Sequence, residues 1–324
     1  MSNPNLSELI TTTLYNRQKE IADNVSESTA LLKRLSSKGN IKPVSGGREI
    51  LQPLDYAANG NFTYYSGYEV VPIAPQDVLT SANYSFKQAA VAVSISGLEY
   101  DVQNTGKEQI IDLLEARIKN AMRTMTNNLS DGLYSDGTGY SGKEIDGLQK
   151  QVADNPTTGT VGGIDRSSYS FWRNVYYDAT TDGGAAASSS NIQTYMNSVY
   201  NQLVRGNDAP DLIVSDNNYY SFYEASLQAQ QRFTSSSMAD LGFQALKYRN
   251  ADVILDGGKG GDCPTNHMYF LNTNYLFWRP AANRNMKPLD GDRVSVNQDA
   301  MVKLIVWAGN LTASNLSLQG VLKD

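Results

Sequence analysis

The sequence predicts an α+β protein with one long helix, because three segments of different character follow one another along the chain. Strand-like runs rich in aromatic and β-branched residues follow an N-terminal segment that is helical in its spacing. A segment of about 24 residues then keeps the spacing of a long amphipathic helix. The remaining part alternates helical segments with short apolar strands. A length of 324 residues allows about two apolar cores.

The composition is that of a folded protein, with 40% hydrophobic and 19% charged residues. We find no apolar run long enough for a membrane span and no signal peptide at the N-terminus, so we expect no membrane partner. Cys263 is the single cysteine, which excludes an internal disulfide framework and fits folding in a reducing cytoplasm. A net charge of -6 argues against sequence-reading DNA binding.

The N-terminal region predicts a helix or broken helix from about Ser7 to Ser37, with Ser7 as its cap. A basic stretch without any acid follows from Leu31 to Arg48 and has a local charge of +5. Its cations are Lys33, Arg34, Lys38, Lys42 and Arg48. Two interpretations stay open, a solvated linker and a contact with nucleic acid or another acidic partner.

A hairpin is predicted next, with strands Arg48 to Tyr56 and Phe62 to Val71 around the turn signal Ala58 to Asn61. A two-stranded hairpin is marginal in water when it stands alone. We therefore expect a projecting arm whose apolar side chains find their partner on another subunit.

A third strand is predicted from Tyr84 to Ser96, and the long helix is predicted to begin near Thr105. An apolar stripe with steps of three and four residues defines the helix, which would be roughly 36 Å long. The stripe comprises Ile110, Leu114, Ile118, Ala121, Met125 and Leu129. Repeated Asp-Gly and Ser-Gly steps from Gly132 to Gly147 predict its end and a domain boundary.

The second half predicts an α/β unit followed by strands that return to the first part of the chain. The predicted helices are Ser167 to Ala179, Ser190 to Arg205 and Asn217 to Arg232. The predicted strands are Leu212 to Ser215, Val253 to Asp256, Met268 to Leu271, Leu276 to Arg279 and Met301 to Ala308. We expect the first and last parts of the chain to share one sheet.

Motifs of catalysis and cofactor binding are weak in this sequence. Cys263 and His267 are four residues apart, but Pro264 intervenes and a four-ligand zinc site lacks further ligands. Lys259 in DGGKGGD is followed by two glycines, where a phosphate-binding Walker loop needs Ser or Thr. The segment from Leu289 to Arg293 lacks calcium-loop spacing. His267 is the only histidine and no nucleophile motif accompanies it, so we expect neither an enzyme nor a cofactor.

Three segments of the sequence resemble segments of a known family, and they occur in the same order as in that family. They are GGIDRSSYSFWRN from Gly162, PDLIVSDNNYYSFYEASLQAQQRF from Pro210, and RPAANRNMKPLDGDRVSVNQDAMVKLIVWAGNLTASNLSLQGVL from Arg279. The chain is similar through them to the major capsid proteins of tailed bacteriophages with the HK97 fold. The likeness covers most of the chain from about Ser45 onward.

The resemblance implies an HK97-like capsid fold with named regions. Residues 1–44 would be the N-arm, 45–80 the E-loop hairpin, 81–142 the P-domain with its spine helix, 143–279 the A-domain, and 280–324 the returning P-domain strands. The function implied is that of a subunit forming homo-pentamers and homo-hexamers, which build the icosahedral head around phage DNA. Scaffolding, portal and decoration proteins are the further partners implied, with location in the virion after assembly in the host cytoplasm.

Two groups of residues are the candidate sites under this resemblance. The expected inter-subunit contacts are Arg48, Tyr56, Phe62, Tyr64, Tyr65 and Tyr68. The expected interior basic arm, which would touch packaged DNA without reading its sequence, comprises Lys33, Arg34, Lys38 and Lys42. Some family members cross-link an E-loop lysine to a neighbour, but Arg48 is the only cation between Ser45 and Leu79, so we expect no such link.

Two other functions stay open from the sequence. An encapsulin-like compartment shell would share the fold, although such proteins lack a long N-arm of this kind. A soluble enzyme with an unrecognised site is the third hypothesis. Particle size separates these functions, because shells sediment in the megadalton range and an enzyme runs as a small oligomer.

Overall fold

The fold is described from a computed structural model of the chain. The structure describes residues 30–98, 113–227, 245–257, 261–289, 293–294 and 299–324. Most of the helix predicted from Ser7 lies outside these residues, as do the start of the long helix near Thr105 and the end of the helix predicted to Arg232.

The described chain forms five helices and fifteen strands. The helices are α1 Ala30–Ser37, α2 Leu113–Tyr134, α3 Leu148–Gln151, α4 Ile192–Leu203 and α5 Asn217–Ser226. Short 3₁₀ turns lie at Ser170–Trp172 and Thr273–Tyr275, and a left-handed turn lies at Gly139–Gly142. The strands are β1 Glu49–Asp55, β2 Leu79–Ser85, β3 Lys87–Ser96, β4 Thr160–Val161, β5 Ile164–Asp165, β6 Val175–Asp178, β7 Leu212–Ser215, β8 Ala245–Tyr248, β9 Ala251–Leu255, β10 His267–Leu271, β11 Leu276–Pro280, β12 Lys287–Pro288, β13 Arg293–Val294, β14 Ala300–Ala313 and β15 Gly320–Lys323.

The first sheet is built around the long strand β14. Strand β3 pairs antiparallel with β14 along one edge, from Ala300 opposite Ser96 to Gly309 opposite Lys87. Strands β11, β12 and β13 pair with its other edge in succession. The expectation that early and late parts of the chain share a sheet is confirmed by the pairing of β3 with β14.

Helix α2 packs its apolar stripe into the core beside this sheet. Ala121, Met125 and Leu129 are all buried there, as the predicted stripe requires. Trp278 of β11 and Trp307 of β14 stack in the same core with ring centroids 5.0 Å apart. The helix therefore buries the face that its spacing predicted, and it ends at Tyr134 within the predicted break.

The second sheet has six strands in the order β6-β15-β10-β7-β9-β8. Helices α4 and α5 cover one face, where Met196, Val199 and Tyr223 pack against strand residues such as Phe270. The opposite face, with Leu212 and Tyr269 among its residues, joins the core that contains α2. Both faces of this sheet are covered, so its central strands read as continuous apolar runs.

The structure corrects two of the predicted strands. Phe62 to Val71 is not a strand, because β1 pairs instead with β2, from Glu49 opposite Ser85 to Asp55 opposite Leu79. The predicted strand Tyr84 to Ser96 is consequently divided at Phe86 between β2 and β3.

The helix predicted over Ser167 to Ala179 is also wrong. This segment forms a 3₁₀ turn and then β6, which pairs in parallel with β15. The indole N–H of the buried Trp172 donates to the carbonyl of Val161 at 2.9 Å. Long-range partners thus decide the conformation of a segment whose aromatic residues could fit a helical face.

Candidate assembly site

Large apolar side chains are exposed mainly in one region of the molecule. Of the thirteen that are exposed among the described residues, nine lie between Leu51 and Leu79. We call residues 56–78, which join β1 to β2, the tip loop. Its exposed apolar residues are Phe62, Tyr64, Tyr65, Tyr68, Val70, Val71 and Ile73. Such a concentration of exposed apolar side chains is typical of a surface that another molecule covers.

The tip loop has a defined conformation despite its lack of strands. The Asn59 side chain accepts a hydrogen bond from the Asn61 N–H at 2.9 Å, and the Asn61 amide donates to the Ala74 carbonyl across the loop. A tighter turn follows in which the Glu69 carboxylate accepts from the Ser66 N–H at 2.9 Å. These bonds hold the exposed rings on a shaped support.

Five of the six predicted contact residues are exposed. Phe62 and Tyr64 meet edge to face, with ring centroids 5.1 Å apart, and Tyr65 and Tyr68 are exposed beside them. Arg48 is exposed at the entrance of β1. Tyr56 differs, because it is half-buried and its ring lies 5.4 Å from that of Phe171 in the same subunit.

The base of the ribbon formed by β1 and β2 is anchored in the core. Ile50, Leu54 and Tyr84 are buried, and burial raises the pKa of Tyr84 well above its usual range. Gly162 has a φ of 57° and lies so close that a Cβ there would be 2.9 Å from the Cβ of Ala82. Its carbonyl accepts from the Asn83 N–H at 2.8 Å. The tip is therefore exposed while its support is fixed.

The predicted basic arm uses part of its charge within the subunit. Arg34 lies 3.3 Å from Asp211 and 3.5 Å from Asp252, and Lys38 lies 2.7 Å from Asp211. Lys33 is exposed on α1. Arg34 and Lys38 thus attach α1 to the six-stranded sheet, at Asp211 before β7 and at Asp252 in β9. The sequence did not reveal this structural use.

Lys42 and Arg48 lie instead near a groove at the entrance of the ribbon. The groove has a volume of about 500 Å³ and is lined by residues 44 and 46–51 together with Arg279. Arg279 donates a hydrogen bond to Gln52 at 2.8 Å, and its guanidinium lies 5.2 Å from the Phe277 ring centroid. Lys42 lies 4.5 Å from the same ring. The sequence analysis missed Arg279. The feature that could have revealed it is a single cation inside the apolar strand LFWRP.

The residues considered for catalysis are occupied by structural contacts. One ring nitrogen of His267 lies 3.0 Å from Asp154 and the other 2.8 Å from the carbonyl of Thr265. Burial alone would lower the pKa of His267, but the Asp154 carboxylate and the Thr265 carbonyl raise it above its usual value. Burial raises the pKa of the Cys263 thiol, which keeps it protonated and weakly nucleophilic.

Within the described residues no group of three or more His, Cys, Asp or Glu side chains could hold a metal ion. The described helices also include none with the length and hydropathy of a membrane span. Lys259 of DGGKGGD and residues 290–292 of the LDGDR segment lie outside the described residues.

Comparison with known proteins gives a consistent family and fold. The family model for the SU10 major capsid protein matches residues 88–320. The chain is similar to the capsid asymmetric unit of cyanophage A-1(L), with a TM-score of 0.71, 17% identity, and 100% of this chain and 98% of that one covered. No protein of curated function matches the sequence.

Two further structures share the fold at lower identity. The capsid of Myoviridae phage XM1 matches with a TM-score of 0.54 and 12% identity, covering 96% of each chain. The holo-SrpI encapsulin complex of Synechococcus elongatus matches with a TM-score of 0.56 and 10% identity, covering 94% of this chain and 91% of that one.

Proposed function

Because this chain belongs to the SU10 major capsid protein family, we propose that its tip loop joins neighbouring subunits in the head of a tailed phage. The chain is a structural protein of the virion and assembles with copies of itself into the capsid shell. Its fold is the α+β fold of HK97-like capsids, which encapsulins share. The family match favours a phage capsid over an encapsulin compartment.

We propose the following division of the subunit. Residues 1–44 form the N-arm, 45–80 the E-loop, 81–142 and 280–324 the P-domain, and 143–279 the A-domain. The β3–β14 pairing supports joining the two P-domain segments. The six-stranded sheet supports most of the A-domain range, although β15 shows that the last residues of the chain also enter that sheet.

The further partners that we propose are those implied by the resemblance to HK97-fold capsid proteins. Subunits form pentamers and hexamers in the host cytoplasm, with scaffolding, portal and decoration proteins as further partners. The basic arm, Lys33, Arg34, Lys38 and Lys42, contacts packaged DNA without reading its sequence. No cofactor and no catalytic step enters this function.

One observation carries the proposed role of the tip loop. Its large apolar side chains are exposed in the subunit, whereas the ribbon beneath it is anchored by buried residues. Burial of such side chains on a neighbour is favourable by about 25 cal/mol per Å² of apolar surface. A closed shell repeats this contact for every subunit, so a modest individual contact stabilises the whole particle.

The test is to replace residues 58–76 by a Gly-Ser-Gly linker. The hydrogen bond from Tyr56 N to Val78 O already brings the two ends of this segment together, so a short linker fits. We expect full-length chains to form megadalton shells, seen by sedimentation and electron microscopy. The variant should remain folded by circular dichroism and form no shells.

A matched control changes an exposed apolar residue outside the tip loop. Val204 is exposed, and Val204→Ser should leave shell formation unchanged. Shells of normal size from the linker variant would contradict the proposed role of the tip loop.

A further inference from the structure

We infer that the groove lined by Arg48 and Arg279 receives the tip loop of a second copy of this chain, with the Glu69 carboxylate paired to these arginines. This inference rests on the proposed function, since it names the surface on which the tip loop docks. It begins from cations whose charge is not balanced within the described subunit.

The groove carries more positive charge than the surrounding residues neutralise. Arg48 forms no ion pair with a described residue. Among the described residues, the Arg279 side chain hydrogen-bonds only to the neutral amide of Gln52. Lys42 lies on the same Phe277 ring as Arg279 and likewise lacks a described carboxylate partner. Glu49 is the acidic residue of the groove lining. Together Lys42, Arg48, Glu49 and Arg279 have a net charge of +2.

The tip loop has the complementary charge. It contains Glu69 and Asp77 and no Lys, Arg or His, which gives it a charge of -2. The Ser66 N–H fixes the Glu69 side chain at one oxygen, with Tyr68 exposed beside it. An arginine can bind such a carboxylate through two parallel hydrogen bonds, a geometry that lysine cannot match.

Apolar surface at the groove favours a protein segment over a nucleic acid. Val44 and Leu51 line the groove together with the arginines, and Leu51 is exposed. The tip loop offers the exposed Tyr68, Val70 and Ile73 in the same segment as Glu69, which combines aromatic and apolar surface with one charge. A DNA backbone would supply phosphates but would leave these apolar side chains uncovered.

The symmetry expected of the shell also favours a second copy of the chain as the partner of the groove. Each subunit presents one tip loop and one groove, two different surfaces, so the contact is heterologous. A heterologous contact whose rotation closes produces a ring, and rings of five or six are the units proposed for this shell. Glu69 bonds to Ser66 and Arg48 has no described partner, so the two are not paired within one subunit.

The test is a charge exchange in the full-length chain. Glu69→Arg and Arg48→Glu should each raise the lowest protein concentration that yields shells by about tenfold, as expected for one lost charge-assisted contact. The double variant restores an opposite pair and should return within about threefold of the unchanged protein. Asp131→Arg and Lys143→Glu, at exposed positions outside tip and groove, are the matched controls.

Three results would overturn the inference. Single variants that assemble normally would exclude the pair, and failure of the double variant to recover would exclude their direct contact. Unchanged assembly together with weaker binding of a short DNA duplex to Arg48→Glu shells would assign the groove to phosphates. The linker variant tests the role of the tip loop independently. If that variant fails to assemble while the charge variants assemble normally, the groove is not the docking surface, but the proposed role of the tip loop stands.

Discussion

The tip loop and the six-stranded sheet differ in where their large apolar side chains lie. In the sheet, Ile213, Phe270 and Val253 are fully buried between helices on one side and the α2 core on the other. In the tip loop, Phe62, Tyr64 and their neighbours are exposed on a support fixed by hydrogen bonds.

This difference separates folding from assembly within one chain. The sheet gains its stability inside the subunit, because its partners are all present there. The tip loop gains little within the subunit, since its apolar surface is exposed to water there. In the proposed assembly another copy covers this surface. A substitution should therefore affect unfolding in one region and shell formation in the other.

The largest effect on unfolding is expected from truncating a buried phenylalanine. Phe270→Ala in β10 should lower the free energy of unfolding by about 3–5 kcal/mol, because it removes buried contacts and leaves a cavity. Urea unfolding of unassembled subunits measures this change. Phe62→Ala is the matched control at a side chain that is 75% exposed, and it should change the free energy by less than about 0.5 kcal/mol. Equal losses of unfolding free energy in Phe270→Ala and Phe62→Ala would contradict the distinction between the sheet and the tip loop.

An intermediate effect is expected from removing a buried charge beside the six-stranded sheet. Burial raises the pKa of Asp256 to about 6, although the hydrogen bond from the Tyr134 hydroxyl opposes the shift. A raised carboxyl pKa means that stability is full below the unfolded pKa near 4 and is lost as the pH rises through about 6. Asp256→Asn keeps an acceptor for Tyr134 and should stabilise subunits at pH 7 by up to about 3 kcal/mol.

The same experiment contains its own reference at low pH. The gain from Asp256→Asn should disappear at about pH 3, below both pKa values, where the carboxyl is protonated in both states. Asp131→Asn at an exposed position should give no gain at either pH. A gain that is independent of pH would show that packing, and not ionisation, changed.

The smallest effect on unfolding is expected at the tip itself. Tyr68→Ser should change the free energy of unfolding by less than about 0.5 kcal/mol, since the ring is fully exposed in the subunit. The yield of shells in a sedimentation assay should nevertheless fall. Tyr140→Ser, at an exposed tyrosine outside the tip loop, should leave the yield unchanged. Normal shells from Tyr68→Ser would mean that this ring has no neighbour.

The sequence predicted best those elements whose pattern is local and whose burial is complete. Leu212–Ser215 was predicted at its observed bounds, because four residues of one short run are all buried. The helix Ile192–Leu203 lies within its predicted range for a similar reason, with one continuous apolar face.

Local patterns failed where the pairing partner is distant in the chain or where a strand-like segment pairs with no neighbour among the described residues. β6 was predicted as helix, because its pairing with residues 320–323 leaves no local trace. Phe62 to Val71 has the composition of a strand, but its aromatic side chains are exposed and its backbone is unpaired with β1. The choice of the tip residues as inter-subunit contacts stays a prediction. Arg279 could not be chosen from the sequence, because its groove exists only after β11 and the ribbon meet.

The position of β15 has a consequence for the timing of synthesis. This strand lies between β6 and β10 and is the last of the six to leave the ribosome. At about 5–20 residues per second, the roughly 140 residues that separate it from β6 take on the order of ten seconds to translate. Until then β6 has no described neighbour in the sheet. The nascent chain therefore carries an open gap in its sheet, and only subunits whose translation has reached β15 can close it and become competent for the shell.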